Sequence, residues 1–152
     1  MNIKNIFFYI VTLIIIITPF FVYANNQQIT IETKKGQKIL FDVEIANNPE
    51  SRQKGLMWRE KMEPQNGMLF IFPENKIVNM WMKNTYLPLD MLFINEHGKI
   101  IHIHHNAEPL STKNISFPKP ARALLEINAG LSKKINIEVG DIVLDFSYKN
   151  AH

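Results

Sequence analysis

From Gln28 onward the chain alternates between apolar and polar positions. Ile29 and Ile31 oppose Thr30 and Glu32, Gly36 marks a turn, and Ile39, Phe41, Val43 and Ile45 alternate with Leu40, Asp42, Glu44 and Ala46. A period of two places successive side chains on opposite faces, so the two runs predict a β-hairpin with one buried face. Asn48-Pro49 reads as a helix start, with asparagine as the cap and proline at the first helical position, and predicts a helix from Pro49 to about Met57. Pro64-Gln65-Asn66-Gly67 is a turn, and Met68 to Phe72 is a short apolar strand stopped by Pro73.

The second half repeats this grammar. Lys76 to Met82 and Asp90 to Ile94 read as strands, with an irregular stretch from Lys83 to Leu89 between them. Asn95-Glu96-His97-Gly98 is a hairpin turn whose second strand is Lys99 to His104. Pro109, Pro118 and Pro120 make Glu108 to Pro120 a surface loop; Ala121 to Ile127 is a strand, Ala129-Gly130 opens a short turn or helical piece, and Gly140-Asp141 leads into a last strand, Ile142 to Tyr148. Long helical periods are missing between the strands. The pattern therefore predicts an all-β fold, a small sandwich or barrel of about eight short strands with one or two short helices.

The first two dozen residues have a different pattern. Lys4 precedes an apolar run from Ile6 to Ile17, and Val22-Tyr23-Ala24 offers small residues for cleavage. This is the layout of a secretory signal peptide over residues 1–24, leaving 25–152 as one mostly β domain. The run falls short of the about 20 residues that span a bilayer, and Pro19 interrupts it; a retained anchor is the alternative. The expected location is periplasmic or secreted after cleavage near Ala24, with no membrane span thereafter. The chain has no cysteine, which excludes disulfides, thiolate metal sites and cysteine nucleophiles, so the fold must rest on its core. The formal net charge of +3, to which Lys4 contributes, is too small and too dispersed to indicate nucleic acid.

The densest cluster of candidate chemistry is Trp81, Lys83, Asn84, Thr85 and Asp90. An aromatic platform beside a few fixed polar groups suits a small polar ligand. Equally, Asn84 and Thr85 can hold a turn, Trp81 can be core, and Asp90 can pair with Arg52 or Lys83. Arg52 can clamp a carboxylate or phosphate, or tie its helix to Asp90 or Glu126. Glu126 shares a strand face with Leu124 and is expected to be partly buried and paired with a cation. With Asp90 it could form a catalytic carboxylate pair acting on envelope carbohydrate or peptide, provided both face one cleft. His102 and His104 share a strand face and could chelate zinc or copper, but no third ligand is dictated by spacing. Met80 and Met82 with a histidine could hold Cu(I) or Ag(I), although methionine is also the usual filler of irregular cores.

Arg52, Gly55-Leu56-Met57, Gly67-Met68-Leu69-Phe70, Trp81-Met82-Lys83-Asn84-Thr85, Pro88-Leu89-Asp90, Leu125-Glu126 and Gly140-Asp141 together resemble the prokaryotic family called domain of unknown function 192, over about residues 52–143. The resemblance implies a small, mostly β, commonly exported domain and no established reaction. The reading that follows is an exported, monomeric, non-enzymatic module that needs neither cofactor nor metal. It binds a small polar ligand or envelope component through Trp81, Lys83, Asn84, Thr85 and Asp90, with Arg52 and Glu126 beside them. The paired-carboxylate hydrolase and the soft-metal protein are the alternatives.

Overall fold

The computed structural model describes residues 26–144; the leader and the end of the last expected strand lie outside them. The elements run β1 (Asn26–Glu32), β2 (Lys38–Ala46), α1 (Pro49–Lys54), β3 (Asn66–Lys76), β4 (Asn79–Met80), β5 (Leu89–Ile94), β6 (Ile100–Ala107), β7 (Ile115–Ser116), β8 (Ala121–Asn128), α2 (Leu131–Lys134) and β9 (Ile142–Leu144). Seven strands form one sheet in the order β6-β5-β8-β3-β2-β1-β9, and β4 pairs with β7 separately. All pairings are antiparallel except β2 with β3, which the helical crossover α1 joins in parallel. The sheet curls until its two edges meet: Lys99 bridges Ile142, and the Val143 N–H donates to the Gly98 carbonyl at 2.8 Å. The observed class is the mostly β one that the alternation predicts.

The curl encloses one apolar cluster to which all seven strands contribute, including Ile29, Phe41, Leu69, Leu92, Ile103, Leu125 and Val143. A second cluster covers the outer face, built on Phe70, Met91, Phe93 and Leu124 and roofed by Leu56, Val78, Met82 and Ile115. Strands β3, β5 and β8 are therefore buried on both faces. This is why they read as unbroken apolar runs, whereas β2 keeps the alternation, with Phe41 inside and Leu40 half-exposed. Among the described residues no helix is long and apolar enough to cross a membrane.

Several boundaries differ from expectation, each for a local reason. The helix α1 stops at Lys54 because Gly55, at φ +48°, turns the chain away; a Cβ there would also meet the Phe70 ring at 3.2 Å. Its start is as predicted: Asn48 accepts from the Ser51 N–H at 2.9 Å, and Ser51 Oγ accepts from the Asn48 N–H. Strand β3 runs past Pro73 to Lys76, with a register shift between Ile71 and Lys76 that accommodates the proline. The expected strand from Lys76 to Met82 shrinks to β4. The proline-rich stretch from Glu108 to Pro120 contributes β7, the short partner of β4.

Candidate functional site

Four of the seven candidate residues, Arg52, Trp81, Thr85 and Glu126, line a single hollow of about 70 Å³ on the outer face of the sheet. Its floor is Glu126 of β8 with Phe70 of β3. One wall is the end of α1 and the segment after it, from Arg52 to Met57, and the other is Asn79 to Trp81 with Thr85. The volume suits a small chemical group or a few waters.

Each wall is held by backbone bonds. Arg52 Nη1 donates to the Ile71 carbonyl at 3.0 Å, and its guanidinium stacks on the Phe72 ring at 5.9 Å. Arg52 thus ties its helix to the sheet through a carbonyl and not through the acidic partners Asp90 or Glu126. Burial pushes its pKa below the usual arginine value. The fully buried Met82 anchors the second wall, its N–H donating to the Ser111 carbonyl at 2.9 Å. The adjoining Trp81 stays about half-exposed, with Lys83 Nζ 5.3 Å from its ring centroid.

The floor carries the unusual group. Glu126 is 4% exposed, and no hydrogen bond or ion pair to its carboxyl comes from the described residues. Its flanking partners across the ladder are Met68 and Met91, both apolar and buried. Burial in this setting raises its pKa to about 8, so the carboxyl holds its proton at neutral pH. Gly67 lets the strands close here: a Cβ would lie 2.6 Å from the Glu126 carbonyl oxygen.

Asp90 does not join this group. It pairs across the ladder with Ile127, one position from the Met91–Glu126 pair, so the two carboxylates face opposite sides of the sheet. The shared cleft that a carboxylate-pair hydrolase requires is not formed. Asp90 is instead fully buried beneath α2, accepting from the Asn106 N–H at 2.9 Å, the Ser132 N–H at 3.2 Å and Ser132 Oγ at 2.6 Å. Burial alone would raise its pKa. The bonds from Ser132, Asn106 and Gly130 outweigh it and hold the group below the usual carboxylate range. Neither Arg52 nor Lys83 pairs with it. Ser132 Oγ also lies within hydrogen-bond distance of His105 Nδ1, at 3.1 Å, but Ser132 is fully buried and its hydroxyl is committed to Asp90, whereas a serine nucleophile must be open to its substrate.

Asn84 and Thr85 build the loop. Asn84 sits at φ +55°, where asparagine is tolerated and most residues are strained. Its carbonyl accepts from the Trp58 N–H at 2.8 Å, and its amide points to Met57 Sδ at 3.9 Å. Thr85 Oγ1 donates to the Lys83 carbonyl at 3.2 Å, and the Thr85 carbonyl accepts from the Leu110 N–H at 3.0 Å. Met82 is closed inside the outer cluster and Met80 packs against it, so the thioethers serve as filler. His102 stacks on Phe117 at 4.6 Å, and no group of three histidine, aspartate or glutamate side chains placed to hold a metal ion occurs among the described residues.

The lining also includes Lys54 and Asn79, which the sequence pattern did not single out, and Met57, which it named only as a helix end and in the family resemblance. The signal for two of them was present: Lys54 and Met57 flank the Gly55 that ends α1, and a helix end folded over a sheet presents its last turn to whatever lies beneath.

The chain belongs to the uncharacterised family called domain of unknown function 192, which it matches over residues 30–144. Two solved structures share the fold. A protein of Sinorhizobium meliloti 1021, which carries the provisional description of a transcription regulator, is 45% identical with a TM-score of 0.77, over 78% of this chain and 92% of its own. A protein of unknown function from Novosphingobium aromaticivorans DSM 12444 is 31% identical with a TM-score of 0.75, over 78% of this chain and 84% of its own. No curated protein matches the chain.

Proposed function

We propose that this chain is an exported binding module whose small polar ligand enters the hollow over Glu126. One observation carries the reading: a carboxyl that is almost wholly buried, finds no partner among the described residues, and forms the floor of an open hollow. A buried polar group without a partner costs about 1–3 kcal/mol, and a group that enters the hollow can supply the missing bond. The half-exposed Trp81 at the mouth adds a stacking surface. Export rests on the leader pattern of residues 1–24.

The two tryptophans of the chain give two indole N–H resonances, and a Trp58→Phe variant assigns the one from Trp81. Titration of the purified protein with small polar compounds should move the Trp81 resonance saturably and leave that of Trp58 fixed. If no compound moves it, the binding reading fails. Mass spectrometry of the protein recovered from the envelope fraction should find Asn25 as its first residue; an intact Met1 would make the leader an anchor.

A further inference from the structure

The hollow has a definite electrostatic character. Its ionisable lining groups are Arg52 and Lys54 from the α1 wall and Glu126 from the floor. The neighbouring strands face Glu126 with Met68, Phe70 and Met91, and Lys83 stands over the Trp81 ring at the mouth. Two cations line the site, a third guards its entrance, and the single acid is the group whose burial keeps it neutral. A cationic ligand would meet like charges. A neutral ligand would leave them unused.

The donor inventory points the same way. Arg52 spends Nη1 on the Ile71 carbonyl and has further N–H groups left, while the Trp81 indole is a donor only. The Asn79 side-chain oxygen Oδ1 accepts from the Asn114 amide at 3.1 Å. A neutral carboxyl contributes one O–H donor. The donor-only side chains Arg52, Lys54 and Trp81 thus surround a space that holds only a few heavy atoms.

We infer that the hollow receives a small carboxylate, which accepts the Glu126 O–H in a carboxyl–carboxylate hydrogen bond and is balanced in charge by Arg52 and Lys54. This rests on the binding reading above and narrows it to a ligand class. Glu126 gives no proton away; the bond requires that it keep one. Ionisation of Glu126 sets a negative charge against the bound anion, so affinity falls as pH rises through the titration of this group, near 8.

The probes are sodium acetate, inorganic phosphate, methylammonium and methyl glucoside, each titrated against the full-length protein while the Trp81 indole resonance is followed. Acetate should saturate the shift at pH 6 and bind about tenfold more weakly at pH 9, as expected one pH unit above the midpoint. Glu126→Gln, whose amide remains a donor at both pH values, should bind acetate within threefold at pH 6 and pH 9. Arg52→Gln should weaken acetate about tenfold. Binding of methylammonium or methyl glucoside in place of acetate would overturn the carboxylate assignment and leave the binding module standing. Phosphate binding more tightly than acetate would replace the carboxylate by a phosphoryl group and also overturn it. Silence from all four probes at both pH values would remove the ligand class and the binding reading together. Equal pH dependence in Glu126→Gln and the parent would show that Glu126 takes no part.

Discussion

Asp90 and Glu126 lie on neighbouring strands, one ladder position apart, and both are buried carboxyl groups. Everything else about them differs. Asp90 faces the loop and helix that close one end of the curl, and it collects bonds from Ser132 and Asn106. Glu126 faces the outer layer and collects none from the described residues. One is ionised and structural; the other is neutral and available. The pleat alone separates the two roles, because adjacent strand positions open onto different environments.

The comparison breaks most visibly at Asp90. Asp90→Ala would leave the Ser132 hydroxyl, the Ser132 N–H and the Asn106 N–H without their acceptor inside the fold. Each orphaned donor costs about 1–3 kcal/mol, so a loss of about 4 kcal/mol is expected in chemical denaturation. A loss below about 1 kcal/mol would mean that α2 does not depend on this carboxylate. Acid should act on the same residue. Its pKa is lowered in the fold, so its contribution is complete above the unfolded value of 3.8 and disappears as pH falls below it.

Glu126 should behave with the opposite sign. Its pKa rises from 4.5 to about 8, so between these values the unfolded chain ionises while the folded chain keeps its proton. Folding stability therefore falls as pH rises through this window and levels off above about 8. At pH 7 the penalty is about 3 kcal/mol at 1.36 kcal/mol per unit. Glu126→Gln should match the parent at pH 4 and exceed it by about that amount at pH 7, as read from urea midpoints. A variant no more stable than the parent at pH 7 would show that Glu126 is ionised and partnered.

How far the sequence reveals this division depends on what local pattern can encode. Alternation disclosed β1 and β2, and Asn48-Pro49 disclosed the start of α1, because each depends on neighbours in the chain. The runs Met68–Phe72 and Asp90–Ile94 disclosed strands, but that both faces of each are buried emerged only from the fold. The pattern also suggested that Glu126 would be buried beside Leu124. It could not show that Asp90 faces away, since that depends on which residues of β5 and β8 pair. Nor could it show that Arg52 ends on the Ile71 carbonyl. The parts of the site that escaped notice, Lys54 and Asn79, come from segments distant in sequence that only the folded sheet brings together.

Arg52 sharpens the contrast from the pocket side. Because burial alone raises the Glu126 pKa, Arg52→Gln should move that pKa by less than about 0.5 units in carbon-detected NMR titration. Loss of the bond to Ile71 and of the packing on Phe72 should lower stability by about 1 kcal/mol. A rise of a full unit or more would mean that the guanidinium stabilises the ionised form, which would weaken the case for a neutral floor.

The smallest effects concern two adjacent residues on the Glu126 side, and they separate scaffold from mouth. Asn84 holds a left-handed backbone conformation at φ +55°, which alanine adopts only at a cost of about 1 kcal/mol. Asn84→Ala should therefore destabilise by about that amount, so any loss of binding in it cannot be assigned to ligand contact. Asn84→Gly removes the same side chain without the backbone strain and should cost less than Asn84→Ala. Lys83 is exposed, and its ammonium stands over the ring of Trp81 two residues away, a contact worth about 0.5 kcal/mol at a solvated site. Lys83→Ala should leave the melting temperature within about 2 °C of the parent. It should also weaken acetate measurably by removing a cation from the mouth. Were Asn84→Gly to lose binding completely while Lys83→Ala kept it, the loop amide and not the charge would be the contact, and the mouth would have to be redrawn around Asn84 and Met57.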